Sequence, residues 1–296
     1  MMSCRNSNAL ILSLLVLALW PANGSSQQPQ TKRPLTENED PLLIGKRNIN
    51  KQQINFYSAE KEIALGRQLA AEIEQQSGLV DDSGLTDYLA RLSRNLTLHS
   101  DATVPVSIKI VDSEEVNAFA LPGGFLYVNL GLMRAVETES ELAAVITHLI
   151  AHVAARHGVE FATKADKVSQ PGFRQVVFDE KLDDSLNPSA SLAFLAFRRK
   201  AEVEADALGA QYLWATGYDP HAMTTFFEKL QAQEEKKPGT MRIFSAHPPP
   251  LERISKVEEL IARFPEREKL ITNTEEFDRV KARLPLEPPK NQPRRK

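Results

Sequence analysis

"ITHLIAH", residues 146–152, sets His148 and His152 four positions apart within an apolar run. Four residues is slightly more than one helical turn, so both rings leave the same face of a helix and reach a common point. Such a pair has two readings: ligands of one metal ion, or a packed polar edge on an amphipathic helix. The flanking residues predict the helix itself. Thr138 followed by Glu141 has the spacing of a capping box, and Gly158 stands where a C-terminal cap belongs, which leaves about five turns between them. Directly after the first histidine comes Leu149, an alkyl side chain where hydrolytic chemistry would place an acid.

A second helical stretch narrows the choice. Asn187-Pro188 resembles an N-cap followed by proline in the first turn, opening a long helix through "FRRKAEVEADALGAQYLWAT" to Gly217. Within it Glu202 and Asp206 are also four apart. That spacing lets Glu202 offer a carboxylate oxygen while Asp206 turns toward an imidazole, with Glu204 pointing elsewhere. Two histidines and one glutamate are a common zinc set with an open fourth position, and a neighbouring carboxylate fixes the tautomer of a ligating ring. The plainer alternative is a solvated acidic face.

The rest of the 296 residues sets the frame. With 42% hydrophobic and 25% charged residues the chain has the composition of a folded protein, and a formal net charge of −3 gives no footprint for nucleic acid. Arg5, then "ALILSLLVLALW" and "PANG", has the form of a secretory signal ending near residue 24, residues 1–24 being read as a cleaved signal or an uncleaved anchor. The one cysteine, Cys4, precedes the apolar run and is badly placed for lipid attachment. Residues 25–55, rich in Gln, Asn, Lys and Pro, read as a linker or extended arm, and residues 56–265 as one compact domain.

Inside that domain "SAEKEIALGRQLAAEIEQQ", with Ser58 as N-cap, and "LTDYLARLSRNL" predict helices. "VPVSIKIVD" (104–112) and "FLYVN" (125–129) predict strands. Pro122-Gly123-Gly124 marks a turn whose flanking apolar segments are expected to pair as an antiparallel hairpin. Residues 266–296 hold a short helix candidate, "TEEFDRVKARL", and a Pro-rich basic tail.

"VNAFALPGGFLYVNLGLMRAVETESELAAVITHLIAHVAARHG", "AEVEADALGAQYLWATGYDP" and "HPPPLERI" together resemble the BepA-like, Oma-like and HtpX-like gluzincin metallopeptidases of family M48. The resemblance implies an α+β fold, a mainly helical zincin-like domain with a small antiparallel sheet. It implies Zn²⁺ held by His148, His152 and Glu202, with Asp206 behind them. It brings His247 and Arg253 to the edge of the site, in a transition-state or metal-edge role; the other reading of the pair is a loop turn and a structural ion pair. His157 has a counterpart in the family, but five residues beyond His152 it rotates off the ligand face and is assigned to helix-end packing. The "FLYVN" strand has either a free edge beside the cleft, to which an extended polypeptide adds as a strand, or a covered one. The implied partners are unfolded or extended polypeptides, among them envelope proteins, with membrane association open, and the implied location is the periplasm.

The departure from the family is Leu149. In H-E-x-x-H the glutamate is the general base, and leucine has no group to carry a proton. Loss of a positioned acid-base group costs about 10²- to 10⁴-fold in rate. Glu139, Glu141 and Glu160 lie too far along the helix, or beyond its cap, to substitute. The preferred expectation is a pseudopeptidase that binds polypeptide with little or no hydrolysis. The alternatives are a weakly or conditionally active endopeptidase of envelope quality control that uses another proton acceptor, and, last, a structural interaction protein whose metal site is empty.

Overall fold

The computed structural model describes residues 33–51, 53, 57–167, 188–236 and 251–284. The signal segment, the start of the expected linker, Asn187, His247 and the basic tail lie outside the described residues. Pro34–Lys296 forms one compact unit and Met1–Arg33 another; all that follows lies in the former.

The helices are α1 (Ala59–Gln76), α2 (Ser83–Leu98), α3 (Leu130–Ala135), α4 (Glu139–Ala154), α5 (His157–Lys167), α6 (Pro188–Thr216), α7 (His221–Lys236), α8 (Leu251–Ile261) and α9 (Glu275–Arg283). Helix α4 is the axis of the fold. Its start is fixed by Thr138, whose hydroxyl accepts from the Glu141 N–H, as the capping-box spacing required. The Glu141 carboxylate reaches back to the N–H of Glu137 at 2.6 Å. Every α4 residue except His152 is buried, and α6, α7, α2 and the sheet pack around it. A helix apolar on all sides has no other stable placement in water.

The sheet contains β1 (Ser107–Val111), β2 (Ala118–Leu121) and β3 (Phe125–Asn129) in the order β1-β3-β2. β2 and β3 pair antiparallel across the Pro122–Gly124 turn, where Gly123 and Gly124 take φ of 75° and 91°, a region that β-carbons disfavour. β1 joins β3 in parallel, so the sheet is mixed, not purely antiparallel: the chain leaving β1 passes over to the far side before the hairpin folds β3 back between them. β3 is therefore the central strand, paired on both sides. Of the two readings of "FLYVN", the covered one holds; the outer strands are β1 and β2, and β2 packs beside α4.

Gly158 is not the cap of α4. The helix ends at Ala154, and the left-handed residue is Arg156, φ 52°, while Gly158 lies inside α5. A non-glycine residue in this region costs roughly 1–2 kcal/mol. The Arg156 side chain holds the conformation, donating from Nε to Glu62 at 2.7 Å and from Nη2 to the Tyr57 carbonyl at 2.9 Å. The break bends α5 away from α4 by 44°.

The segment 34–51, expected as linker or arm, is fastened to the body. A short 3-10 turn, Pro41–Leu43, is capped by Asp40. Arg47 pairs with Asp101 at 2.7 Å, the two side chains 1% and 3% exposed, and donates to Gln211 on α6. Asn50 and Gln53 donate their amides to the carbonyls of Ala154 and Ala155, satisfying acceptors that the end of α4 leaves open. At the other end the body continues beyond residue 265. Phe277 of α9 is fully buried against Tyr88, and Lys281 donates to the carbonyls of Met133, Arg134 and Val136. Among the described residues no single helix is long and apolar enough to cross a membrane.

These contacts make the arm part of the folding unit. Arg47→Ala leaves the Asp101 carboxylate without its buried counter-charge and is expected to destabilise the fold by about 3–5 kcal/mol. The measurement is the urea midpoint at neutral pH; an unchanged midpoint would show the arm to be a passive tether.

Candidate metal centre

The site forms where α4 and α6 cross. Gly209 sets how closely they approach: a β-carbon there would stand 3.1 Å from the backbone nitrogen of His148 and 3.2 Å from its Cα. A β-carbon there would be tight against the α4 backbone and the Met223 methyl, and the helices would have to give by a few tenths of an ångström. The contact brings the 202–206 turn of α6 over the histidine turn of α4.

The ligand atoms then converge. His148 Nε2 and His152 Nε2 are 3.1 Å apart, and the Glu202 carboxylate lies 3.4 Å from the first and 3.5 Å from the second. Ligands held about 2.0–2.1 Å from a tetrahedral zinc are separated by about 3.3 Å, so the spacing is that of a metal's coordination shell. His148, His152 and Glu202 are the residues the chain brings together as a group able to hold a metal ion. The donor set of two imidazoles and one carboxylate fits a divalent cation.

Each ring is held from behind. His148 Nδ1 lies 2.9 Å from Asp206 Oδ1 in a close, angled contact. Asp206 is gripped by Arg253, whose Nε and Nη2 donate to its two oxygens at 2.6 and 2.7 Å. Arg253 also comes within 3.3 Å of Glu202 and stacks over the Phe227 ring at 4.9 Å. Arg253 thus stands at the edge of the site, on the two carboxylates. The expected partner at that edge, His247, lies outside the described residues.

Burial and charge pull in opposite directions here. Burial favours a neutral His148, but the Asp206 and Glu202 carboxylates outweigh it and raise its pKa above the usual 6.5. Burial likewise pushes Asp206 up, and the Arg253 guanidinium more than reverses this, leaving its pKa lowered.

His157 stands outside the ligand group, buried at the helix junction, but it makes a contact that the sequence reading did not foresee. The helix break at 155–156 swings its ring back, so that its Nδ1 stands 3.0 Å from Nδ1 of His152, the rings nearly perpendicular at 72°. It is 2% exposed. Its Nε2 faces Glu204 at 3.5 Å. Glu204, expected to point elsewhere, does point away from the ligand cluster but onto this ring; the Arg156-Glu62 contact that produces the geometry spans 94 residues of sequence.

Leu149 is 1% exposed. It joins Ala118 of β2 and Met223, Phe226 and Phe227 of α7 in the wall of a small open cleft that also touches His148 and Arg253. Apart from those two polar residues, the described part of the wall is apolar.

Comparison with known proteins places this architecture. The chain is 29% identical over 239 residues to the beta-barrel assembly-enhancing protease of Escherichia coli (strain K12), covering 76% of this chain and 48% of that protein. It is 29% identical over 222 residues to the mitochondrial metalloendopeptidase OMA1 of Schizosaccharomyces pombe, 71% of this chain and 64% of the relative. It is 34% identical over 154 residues to the metalloprotease LoiP of Escherichia coli (strain K12), 50% of this chain and 60% of LoiP. The chain thus spans about half the length of the beta-barrel assembly-enhancing protease. The family model described as Peptidase family M48 matches residues 81–261, a stretch running from α2 to the end of α8 that contains the whole ligand cluster, and the chain belongs to that family.

Proposed function

We propose that this chain is an exported zinc-binding member of its family that holds polypeptide in its cleft with little or no hydrolysis. The observation that carries the reading is Leu149, a buried alkyl group directly after the first ligand. A bound zinc ion would supply Lewis-acid polarisation of a carbonyl and would favour ionisation of a water. His148, His152 and Glu202 would hold it, Asp206 would orient His148, and Arg253 would brace both carboxylates. Proton transfer needs a titrating group at the reacting atoms, and Leu149 offers none.

The acids nearest in sequence are engaged elsewhere. Glu139 accepts from Tyr218, Glu141 from Lys229, and Glu160 from Gln53. The ligand implied by the family resemblance is unfolded or extended polypeptide, and β2, an edge strand packed beside α4, supports that reading, because main-chain hydrogen bonds add a strand without reading sequence. The hydrocarbon wall beside it suits an apolar side chain of the same segment. The signal-like segment supports export, and relatives named for β-barrel assembly support a periplasmic role among envelope proteins.

Two outcomes are expected. The purified protein retains about one zinc per chain, lost in His148→Ala and on chelation. Retention weakens as pH falls, because zinc needs the neutral ring. Since the His148 pKa is raised, proton competition starts above 6.5; elemental analysis after dialysis across this range checks it. In peptide-cleavage assays the wild type is expected to lie about 10²- to 10⁴-fold below Leu149→Glu. Chelator-sensitive turnover by the natural sequence at the rate of that variant would overturn the proposal.

A further inference from the structure

The two ligand imidazoles are supported differently. His148 has a carboxylate behind it; His152 has a second imidazole, itself backed by a carboxylate. From this contrast we propose that His157 is a positioning residue for the metal centre: through Nδ1 it fixes the tautomer and angle of His152, and Glu204 fixes the tautomer of His157 in turn. The proposal rests on the reading of the cluster as a divalent-metal site.

The argument is one of counting hydrogens. His152 Nε2 faces His148 Nε2 at 3.1 Å and Glu202 at 3.5 Å, so a cation there needs its lone pair. The single hydrogen of a neutral His152 ring therefore sits on Nδ1. That N–H has His157 Nδ1 in front of it at 3.0 Å, and two hydrogens cannot occupy one contact. His157 Nδ1 must then accept, which places the hydrogen of a neutral His157 on Nε2. This nitrogen faces Glu204 Oε2 at 3.5 Å, an acceptor of the sign the chain of donors needs. Each hydrogen has one place, and the order runs from the ligand cluster outward: His152 donates to His157, and His157 donates to Glu204. The His157 side chain is 3% exposed and that of Glu204 38%, so the relay begins in the interior and ends at water, where a carboxylate keeps its charge at little cost.

The backbone is built for this contact. A continuous helix would carry residue 157 away from the ligand face, since five residues turn through about 500°. The left-handed Arg156 breaks the helix instead, and Glu62 and the Tyr57 carbonyl hold the break. The rings of His152 and His157 then stand 5.0 Å apart, centre to centre.

The test uses the full chain, with zinc as the probe. Chelator competition is measured for wild type, His157→Leu and His157→Asn, and the imidazole nitrogens of the zinc-loaded wild type are observed by ¹⁵N NMR. His157→Leu is expected to weaken zinc about 10- to 100-fold. His157→Asn, whose side-chain oxygen accepts near the place of Nδ1, is expected to recover most of that loss. In the wild-type spectrum His157 should carry its hydrogen on Nε2 and His152 on Nδ1. Wild-type affinity in His157→Leu, an Asn variant as weak as Leu, or a His157 hydrogen on Nδ1 would each overturn the proposal. If Leu prevents folding, the spectrum alone decides. A wild type that binds no zinc overturns the metal reading and the relay together, whereas tight zinc in wild type and His157→Leu alike overturns the relay only.

Discussion

The approach of α6 to α4 at Gly209 is the constraint on which the site depends. Glu202 and Asp206 have the right spacing on one helix and His148 and His152 on the other, but spacing along a helix does not determine the distance between helices. A β-carbon 3.1 Å from the His148 backbone would press on α4 by a few tenths of an ångström, at the level where the Nε2–carboxylate distances are 3.4 and 3.5 Å. Because α4 is buried on nearly every side, it has no freedom to retreat, and the smallest residue must come from α6. Packing geometry thus sets the coordination geometry.

Charge closes the same cluster. Two buried carboxylates, Glu202 and Asp206, are shared by the Arg253 guanidinium, and Arg198 on the same helix adds a second positive charge in the field of Glu202. Uncompensated charge in a low-dielectric interior is costly. The raised pKa of His148 has the same source: burial favours the neutral ring, and the Asp206 and Glu202 carboxylates outweigh it. A divalent cation would draw on the Glu202 carboxylate from the Nε2 side, where a proton on the ring would oppose it.

Much of this site was legible in the sequence because its elements are local. The four-residue spacings of His148 with His152 and Glu202 with Asp206 follow from helical periodicity alone, and Thr138 fixed where the first helix begins. The parts that were not legible depend on contacts distant in sequence. His157 comes up behind His152 where the chain breaks at the left-handed Arg156, which Glu62 on α1 holds. Gly209 looks like any mid-helix glycine until the neighbouring backbone is in place. The segment 34–51 reads as a linker by its polar composition, yet those same polar side chains cap the end of α4 and pair with Asp101 and Gln211. The sheet was misjudged in one respect for a related reason: hairpin pairing is set by the turn, but which strand lies in the middle depends on where the preceding chain crosses.

Leu149 separates holding a metal from using it. Its side chain lines the apolar cleft and is not among the groups that ligate or brace the cluster: Asp206 and Arg253 support His148, His157 supports His152, and Glu202 comes from another helix. Nothing in that support requires an acid at position 149. Hydrolysis does, because a proton must leave the attacking water and reach the leaving amine, and an alkyl group provides no path. On the proposed reading the two properties are independent in the fold, and loss of the second leaves the first intact. On the same reading Leu149 also shapes the cleft, since it extends an apolar wall toward His148 where a carboxylate would interrupt it. A surface of that kind would, on the proposed reading, retain an apolar segment beside an ion able to polarise its backbone, while lacking the group that would complete its cleavage.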